Sequence, residues 1–200
     1  MLTVNGDPGV VERQLAGGEL GCPSCGGVLG GWGYGRERRV RVLAGPDVVV
    51  VPRRSRCRGC GGTHVLLPAW CLSRRADAAA VIGAALAAAA GGAGSRSVAR
   101  LLGRAVPTVR GWLRRFRGRA EAVRVSFTVL LAGTSPDPVM PAGTPAGLVA
   151  AAVSAVAGAA EAVARRWPHV GQVPVWEAAS AASGGLLLAP GWPPAGGNAN

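Results

Sequence analysis

The sequence predicts an α+β fold that is mostly helical, and three observations carry that prediction. Two CxxC pairs, Cys22-Pro-Ser-Cys25 and Cys57-Arg-Gly-Cys60, flank a stretch of strand-forming residues. An apolar stripe at Val109, Trp112, Leu113 and Phe116 follows helical spacing. An alanine-rich segment over 146–167 keeps that spacing further along the chain. The expected boundaries are a flexible N-terminus at 1–20, a cysteine-bearing ribbon at 21–72 and a three-helix domain at 73–124. A helix extension and Pro/Gly linker at 125–145, an Ala-rich helix at 146–167 and a largely disordered tail at 168–200 complete the chain.

The cysteines come first because their spacing carries chemistry. Two thiolates three positions apart on a tight turn grip one face of a tetrahedral zinc ion, and a second turn completes the shell. Each pair is followed by two glycines, Gly26-Gly27 and Gly61-Gly62. A glycine there permits the positive φ that curls the backbone under a metal. The pairs stand 31 residues apart, a distance that a hairpin of two long strands bridges. A closed shell of Cys22, Cys25, Cys57 and Cys60 is structural, so it points to a scaffold and away from zinc catalysis. Disulfides and a redox dithiol are the alternatives. Disulfides fit poorly with an N-terminus, Met1 to Asp7, that lacks a basic-then-apolar leader; the reading is a reducing, cytoplasmic, nucleoid-associated protein. No βαβ pattern surrounds either pair, as a redox motif would need. His64, four residues after Cys60, could replace a thiolate, but with four cysteines present it reads as a polar residue on the last ribbon strand; the unpaired Cys71 reads as a small buried hydrophobe.

The ribbon is expected to have three strands. Trp32–Leu43 alternates in part, Gly45-Pro46-Asp47 signals a turn, and Val48–Val51 leads through Pro52 to the second cysteine pair. Thr63–Leu67 forms the last strand, ended by Pro68. So small a sheet cannot bury enough surface to stand alone, and a metal supplies the missing stability.

Charge singles out the middle of the chain. Every one of the 22 basic residues is arginine, which fits GC-rich coding. Residues 36–124 hold 19 arginines against Glu37, Asp47, Asp77 and Glu121, a net of +15, while the flanking segments are net negative and bring the whole chain to +12. A basic field so concentrated is the footprint of a polyanion, double-stranded DNA above all. The apolar runs Ala78–Gly94 and Ala146–Ala160 are built from alanine and glycine and are expected to fall short of a membrane span.

Beyond the ribbon the period changes from strand to helix. Ser73 is expected to cap a helix through Asp77, Val81, Ile82 and Leu86, which Gly91-Gly92 breaks. Ser95 or Ser97 opens a second helix ending at Gly103. The third helix, over 107–118, buries its apolar stripe and turns Thr108, Arg110, Gly111, Arg114, Arg115 and Arg117 outward. Two helices joined by a short glycine turn, the second basic outside, describe a helix-turn-helix domain. On that geometry Pro107, Thr108, Arg110, Gly111 and Arg114 read base edges with Arg115 close by, while Arg96, Arg100 and Arg104 hold phosphates. Arg53, Arg54, Arg56 and Arg58 of the ribbon are further candidates for phosphate contact. Val149, Val153, Val156, Ala160, Val163 and Trp167 alternate four and three apart, which is the spacing of a helix–helix seam and a candidate homodimer contact.

The order Cys-Pro-x-Cys-Gly, Gly-Tyr-Gly-Arg, Arg-x-Arg-Cys-x-x-Cys-x-x-Thr-His-x-Leu-Leu-Pro, Val-Ala-Arg-Leu-Leu-Gly-Arg and Thr-Val-Arg-x-Trp-Leu-Arg-Arg-Phe resembles a family of uncharacterised zinc-ribbon plus helix-turn-helix proteins of high-GC bacteria. The layout is similar to the N-terminal DNA-binding region of insertion-sequence transposases, over roughly residues 21–124. The resemblance implies one structural Zn2+ on Cys22, Cys25, Cys57 and Cys60, and DNA as partner. The expected function is a non-catalytic, sequence-specific DNA-binding protein, either a transcriptional regulator or a mobile-element-associated factor. A transposase or recombinase remnant is the first alternative. Its chemistry needs clustered carboxylates, and only Asp137, Glu161 and Glu177 lie beyond residue 124. An RNA-binding ribbon is the second; it lacks the exposed aromatic platform expected for stacking bases, Trp32 and Tyr34 being the only candidates. No small-molecule substrate is indicated.

Overall fold

A computed structural model describes residues 1–135, 146–168 and 173–193. The chain is α+β, with seven helices and a small sheet among those residues. The N-terminal body comprises β1 (Leu2–Val4), α1 (Pro8–Ala16), β2 (Leu29–Tyr34), β5 (Arg53–Cys57) and β6 (Thr63–Pro68), with the arm β3 (Arg38–Val40) and β4 (Val48–Val50). The helical body comprises α2 (Ala79–Ala90), α3 (Ser95–Leu102), α4 (Val106–Arg117), α5 (Ala120–Thr134), α6 (Leu148–Arg166) and α7 (Val175–Ala182).

The first twenty residues are ordered, contrary to the expected flexible lead-in. β1 adds a parallel strand to β6, with Leu2 opposite Leu66 and Val4 opposite Pro68. Asp7 caps α1 by accepting the Gly9 N–H at 2.8 Å, and Pro8 presets the first turn. Val11 and Leu15, four apart, bury one side of α1 against Leu29 and Leu66. Three residues make too short a run to read as a strand, and the partner of β1 lies more than sixty residues away.

The sheet also differs from the three strands expected. Its order is β1-β6-β5-β2, and β3 with β4 forms a separate two-stranded sheet. The long strand expected over 32–43 breaks at Gly35, whose N–H is taken by the Pro52 carbonyl at 2.7 Å. Pro52 likewise divides β4 from β5, having no N–H for a ladder. The resulting arm folds onto the helices, where Val40 and Val50 are buried. Strand alternation gives β6 two jobs: Leu66 enters the small core beneath α1, and its neighbour Leu67 enters the helical core.

Between β6 and α2 the expected helix over 73–78 is absent. The helix starts at Ala79, and the Ser73 N–H goes to the Gly185 carbonyl at 2.8 Å. Asp77 is a buried carboxylate there, not a helix residue. It accepts Arg41 Nη2 at 2.7 Å and Arg104 Nε at 2.6 Å. One acid thereby joins the β3 end of the arm to the turn between α3 and α4.

Within the helical body α2 is surrounded, with Val81, Ile82, Ala85 and Leu86 essentially inaccessible. Gly83 lets the Trp176 indole cross α2, because a Cβ there would overlap the ring. The third helix starts at Val106 after Ala105, and no side chain caps it; Pro107 sits in its first turn. Gly118 ends α4, so α5 is a separate helix and not an extension. The expected linker falls partly on residues 136–145, which lie outside the described residues.

α6 packs along α5 and α2. Its buried residues are Ala152, Ala155, Val156, Ala159, Ala160 and Ala162, while Val149, Val153 and Val163 are only partly covered. The expected seam is therefore rotated and largely spent inside the chain. α6 does reach the length and mean hydropathy (1.5) of a membrane span, unlike the expectation, and it is the only helix among the described residues to do so. Within the tail, residues 173–193 form structure contrary to the expectation: α7 forms, and Leu187 and Leu188 enter the core. Arg75 and Arg119 donate to the carbonyls of Leu188, Ala189 and Trp192, satisfying backbone that has no ladder of its own.

Replacing Asp77 with alanine leaves the Arg104 guanidinium, only 15% exposed, without its counter-charge. Breaking such a pair costs about 3 kcal/mol, at the lower end of the range because Arg41 is partly solvated. Urea unfolding followed by circular dichroism is expected to show that loss.

Candidate metal centre and basic surface

The two CxxC turns are near copies of each other. In the first, the Cys22 N–H donates to the Gly27 carbonyl at 2.7 Å and the Gly26 N–H to the Cys22 carbonyl at 2.8 Å. In the second, Cys57 donates to Gly62 at 2.8 Å and Gly61 to Cys57 at 3.1 Å. Gly26 and Gly61 both adopt φ of 72°, the conformation expected of them. Gly27 has a different role: a Cβ there would lie 3.1 Å from Cys57 Sγ and 3.4 Å from Cys25 Sγ, filling the space the sulfurs share. The double glycines thus supply a turn first and room second.

All four sulfurs lie within 4.8 Å of one another. Cys22 to Cys60 is 3.8 Å and Cys25 to Cys57 is 3.5 Å. A tetrahedral shell with metal–sulfur bonds of about 2.3 Å has edges of about 3.8 Å, so the donor set fits a structural metal ion. Cys22 and Cys57 are buried at the sheet end of each turn, while Cys25 and Cys60 are exposed at its tip. The Cys57 thiol is lowered to about 6, chiefly by the Cys60 N–H, and Cys22 to about 7, chiefly by the Ser24 N–H. At Cys25 the Gly27 N–H is the largest single influence and lowers it, but sharing with Cys57, Cys60 and Cys22, together with desolvation, outweighs this and holds it near 11. Four sulfurs this close resist ionising together, and a cation among them removes that resistance.

His64, which the spacing offered as a replacement ligand or a polar strand residue, lies beside the four-sulfur shell. It is buried on β6 with Nε2 3.3 Å from Cys22 Sγ, placed to orient that ligand from outside the shell. Its position two residues before Leu66, on the same face of β6, is the signal that strand alternation offered. Cys71 is apart from the cluster, 1% exposed in the helical core, and burial pushes its thiol up. Among the described residues the four cysteines are the one group of His, Cys, Asp or Glu placed to hold a metal. Glu161 pairs with Arg165 at 3.7 Å, Glu177 lies on α7 with its carboxyl raised by burial, and Asp137 is outside the described residues.

The basic candidates divide into free and committed side chains. On α4, Val109, Trp112, Leu113 and Phe116 are buried, while Pro107, Arg110 and Arg114 are exposed and Thr108 and Gly111 partly so. Arg115 folds back to the Gly111 carbonyl at 3.1 Å. Arg96 and Arg100 are exposed on α3. Gly103 follows in the left-handed region, with φ 60° and ψ 38°. Arg104 does not join them. Besides Asp77 it donates to the carbonyls of Leu102 at 3.1 Å and Val42 at 3.2 Å, so it braces the turn and is withdrawn from the expected phosphate role. In the ribbon, Arg53 is tied to Glu12 at 2.7 Å and to the Gly33 carbonyl at 2.6 Å. Arg56 and Arg58 are exposed and Arg54 half-exposed.

Comparison with family models, curated proteins and solved structures gave no match.

Treatment with a strong chelator is expected to release about one metal ion per chain and to lower thermal stability sharply. His64→Ala is expected to weaken metal retention by roughly tenfold or more, measured by competition with a chromophoric chelator, while Cys71→Ala leaves it unchanged.

Proposed function

We propose that this protein is a non-catalytic, sequence-specific DNA-binding protein whose N-terminal body is held by one structural zinc ion. The observation that carries the reading is the division of α4. Its apolar side is sealed, with Val109 and Phe116 at 0% exposure, while Arg110 and Arg114 stand free on the opposite side. A short helix, α3, precedes it across a glycine turn that Arg104 and Asp77 hold rigid. Such a pair presents its second helix to the major groove, where an arginine pairs bidentately with guanine O6 and N7. Arg96 and Arg100 then face phosphates. Zinc follows from a closed shell of four thiolates. Whether the protein regulates transcription or serves a mobile element depends on where its sites lie.

Selection of bound fragments from genomic DNA at near-physiological salt tests the reading. A short enriched motif is expected; retained binding with no motif would reduce the protein to a nonspecific polyanion binder. Arg110→Ala or Arg114→Ala is expected to cost about 1–3 kcal/mol at one base position and relax preference there. Arg96→Ala is expected to weaken all sequences alike and reduce the salt slope by about one. Identical behaviour of the two kinds of variant would sink the division between base reading and phosphate contact.

A further inference from the structure

The cleft beside the second cysteine turn has a chemistry that α4 does not use. It is an open cleft of about 590 Å3. Trp32 forms one side, Arg56 and Arg58 stand around it, and at Gly30 a Cβ would meet the Arg58 side chain at 3.5 Å, so the missing side chain keeps that part of the cleft open. No carboxylate lines it, and Cys57 and Cys60 of the metal centre complete its wall.

A bulge in β2 creates this arrangement. Gly31 pairs with Ser55 and Tyr34 with Arg53, so three steps along β2 match two along β5. Gly33, at φ 86°, absorbs the extra residue. Trp32 and Tyr34 would otherwise share one face; the bulge places them on opposite faces. Tyr34 goes with Arg53 and Glu12 on the α1 side, with Arg53 4.6 Å from its ring centroid. Trp32 goes with Arg56, whose guanidinium lies 4.8 Å from the indole centroid. Arg56 is preset there, its Nε donating to the Gly61 carbonyl at 3.3 Å. Trp32 remains 50% exposed, a large aromatic on a strand with no core to cover it.

We propose that this cleft binds one unpaired nucleotide of a single-stranded nucleic acid, its base stacked on Trp32 and its phosphate held by Arg56 and Arg58. An exposed indole offers a sequence-tolerant stacking surface, and the adjacent arginines supply the backbone charge. The positive surroundings disfavour a cationic ligand, which an aromatic cage would otherwise take. A paired base cannot reach the ring face, since its own faces are stacked within the duplex, so the occupant is a base outside a helix. The site shares no residue with α3 or α4, and Trp32 separates it from the duplex reading, for which Arg56 and Arg58 are also candidate phosphate contacts.

The test uses the full metal-loaded chain and labelled oligothymidylate, oligouridylate and duplex DNA, with binding followed by anisotropy. Trp32→Ala is expected to weaken single-strand binding roughly tenfold, the loss of one stacked base, while duplex affinity is unchanged and Trp32→Phe retains most of the binding. Arg58→Ala is expected to weaken the single strands and flatten their salt dependence. The preferred single strand assigns the source as DNA or RNA. Indole emission is also expected to be quenched on adding oligothymidylate, and Trp32→Phe to remove that quenching with metal content intact. Unchanged single-strand affinity in Trp32→Ala, an equal loss for duplex, or quenching that persists in Trp32→Phe would overturn the proposal. Binding of polyglutamate that competes with the single strands and is equally sensitive to Trp32→Ala would overturn it in favour of an acidic peptide site.

Discussion

Four sulfur atoms drawn within 4.8 Å of each other are the constraint on which the N-terminal body rests. The core beside them is small: Val4, Val11, Leu15, Leu29 and Leu66, with the two inner cysteines themselves counted among its buried residues. So little apolar surface cannot offset the ordering of some seventy residues by itself. Closing the two turns on one another fixes β2 against β5, and β5 brings β6 into place. α1 and β1 then cover what remains open. A metal ion held by these four sulfurs would substitute for the apolar contacts that a larger core would provide.

The order created at the cysteines reaches the helices by two routes. β6 faces both bodies, with Leu66 on one side and Leu67 on the other, so its register sets both cores together. The second route is electrostatic. Asp77 ties the arm through Arg41 and the α3–α4 turn through Arg104, and the carbonyl of Val42 takes another Arg104 N–H. A buried charge network tolerates little displacement, because each lost partner leaves a desolvated charge. The turn between α3 and α4 is therefore held by residues of the arm and of the segment before α2. The arginine in the turn faces inward because Asp77 and the Val42 carbonyl take its guanidinium, while Arg96, Arg100, Arg110 and Arg114 face solvent.

The exposed arginines then form two separate surfaces. Those of α3 and α4 lie on a helical ridge, while Arg56 and Arg58 border a cleft with Trp32. A ridge suits the groove of a duplex, and a cleft with an aromatic wall suits a single base. Composition alone registers both as one basic field.

The sequence by itself determined whatever depends on neighbours in the chain. The CxxC-Gly-Gly repeats specified two matching turns, because the thiolate spacing, the positive φ and the missing Cβ are all local. The stripe at Val109, Trp112, Leu113 and Phe116 specified which side of α4 is buried, since helical periodicity needs no partner to be read. Tertiary structure decided the rest. β1 was invisible because its partner is β6, and the tail because Leu187 and Leu188 acquire meaning only beneath the helices. Alanines carried the buried face of α6 against α5, so the larger valines misplaced it in a reading by size. The bulge at Gly33 decided which face Trp32 and Tyr34 occupy. Asp77 resembled a helix residue after Ser73, and only the approach of Arg41 and Arg104, each about thirty positions away, made burial of its charge tolerable. Periodicity and turn chemistry are short-range and survive in the sequence; strand partners, helix rotation and buried ion pairs are set by long-range contacts, which folding alone supplies.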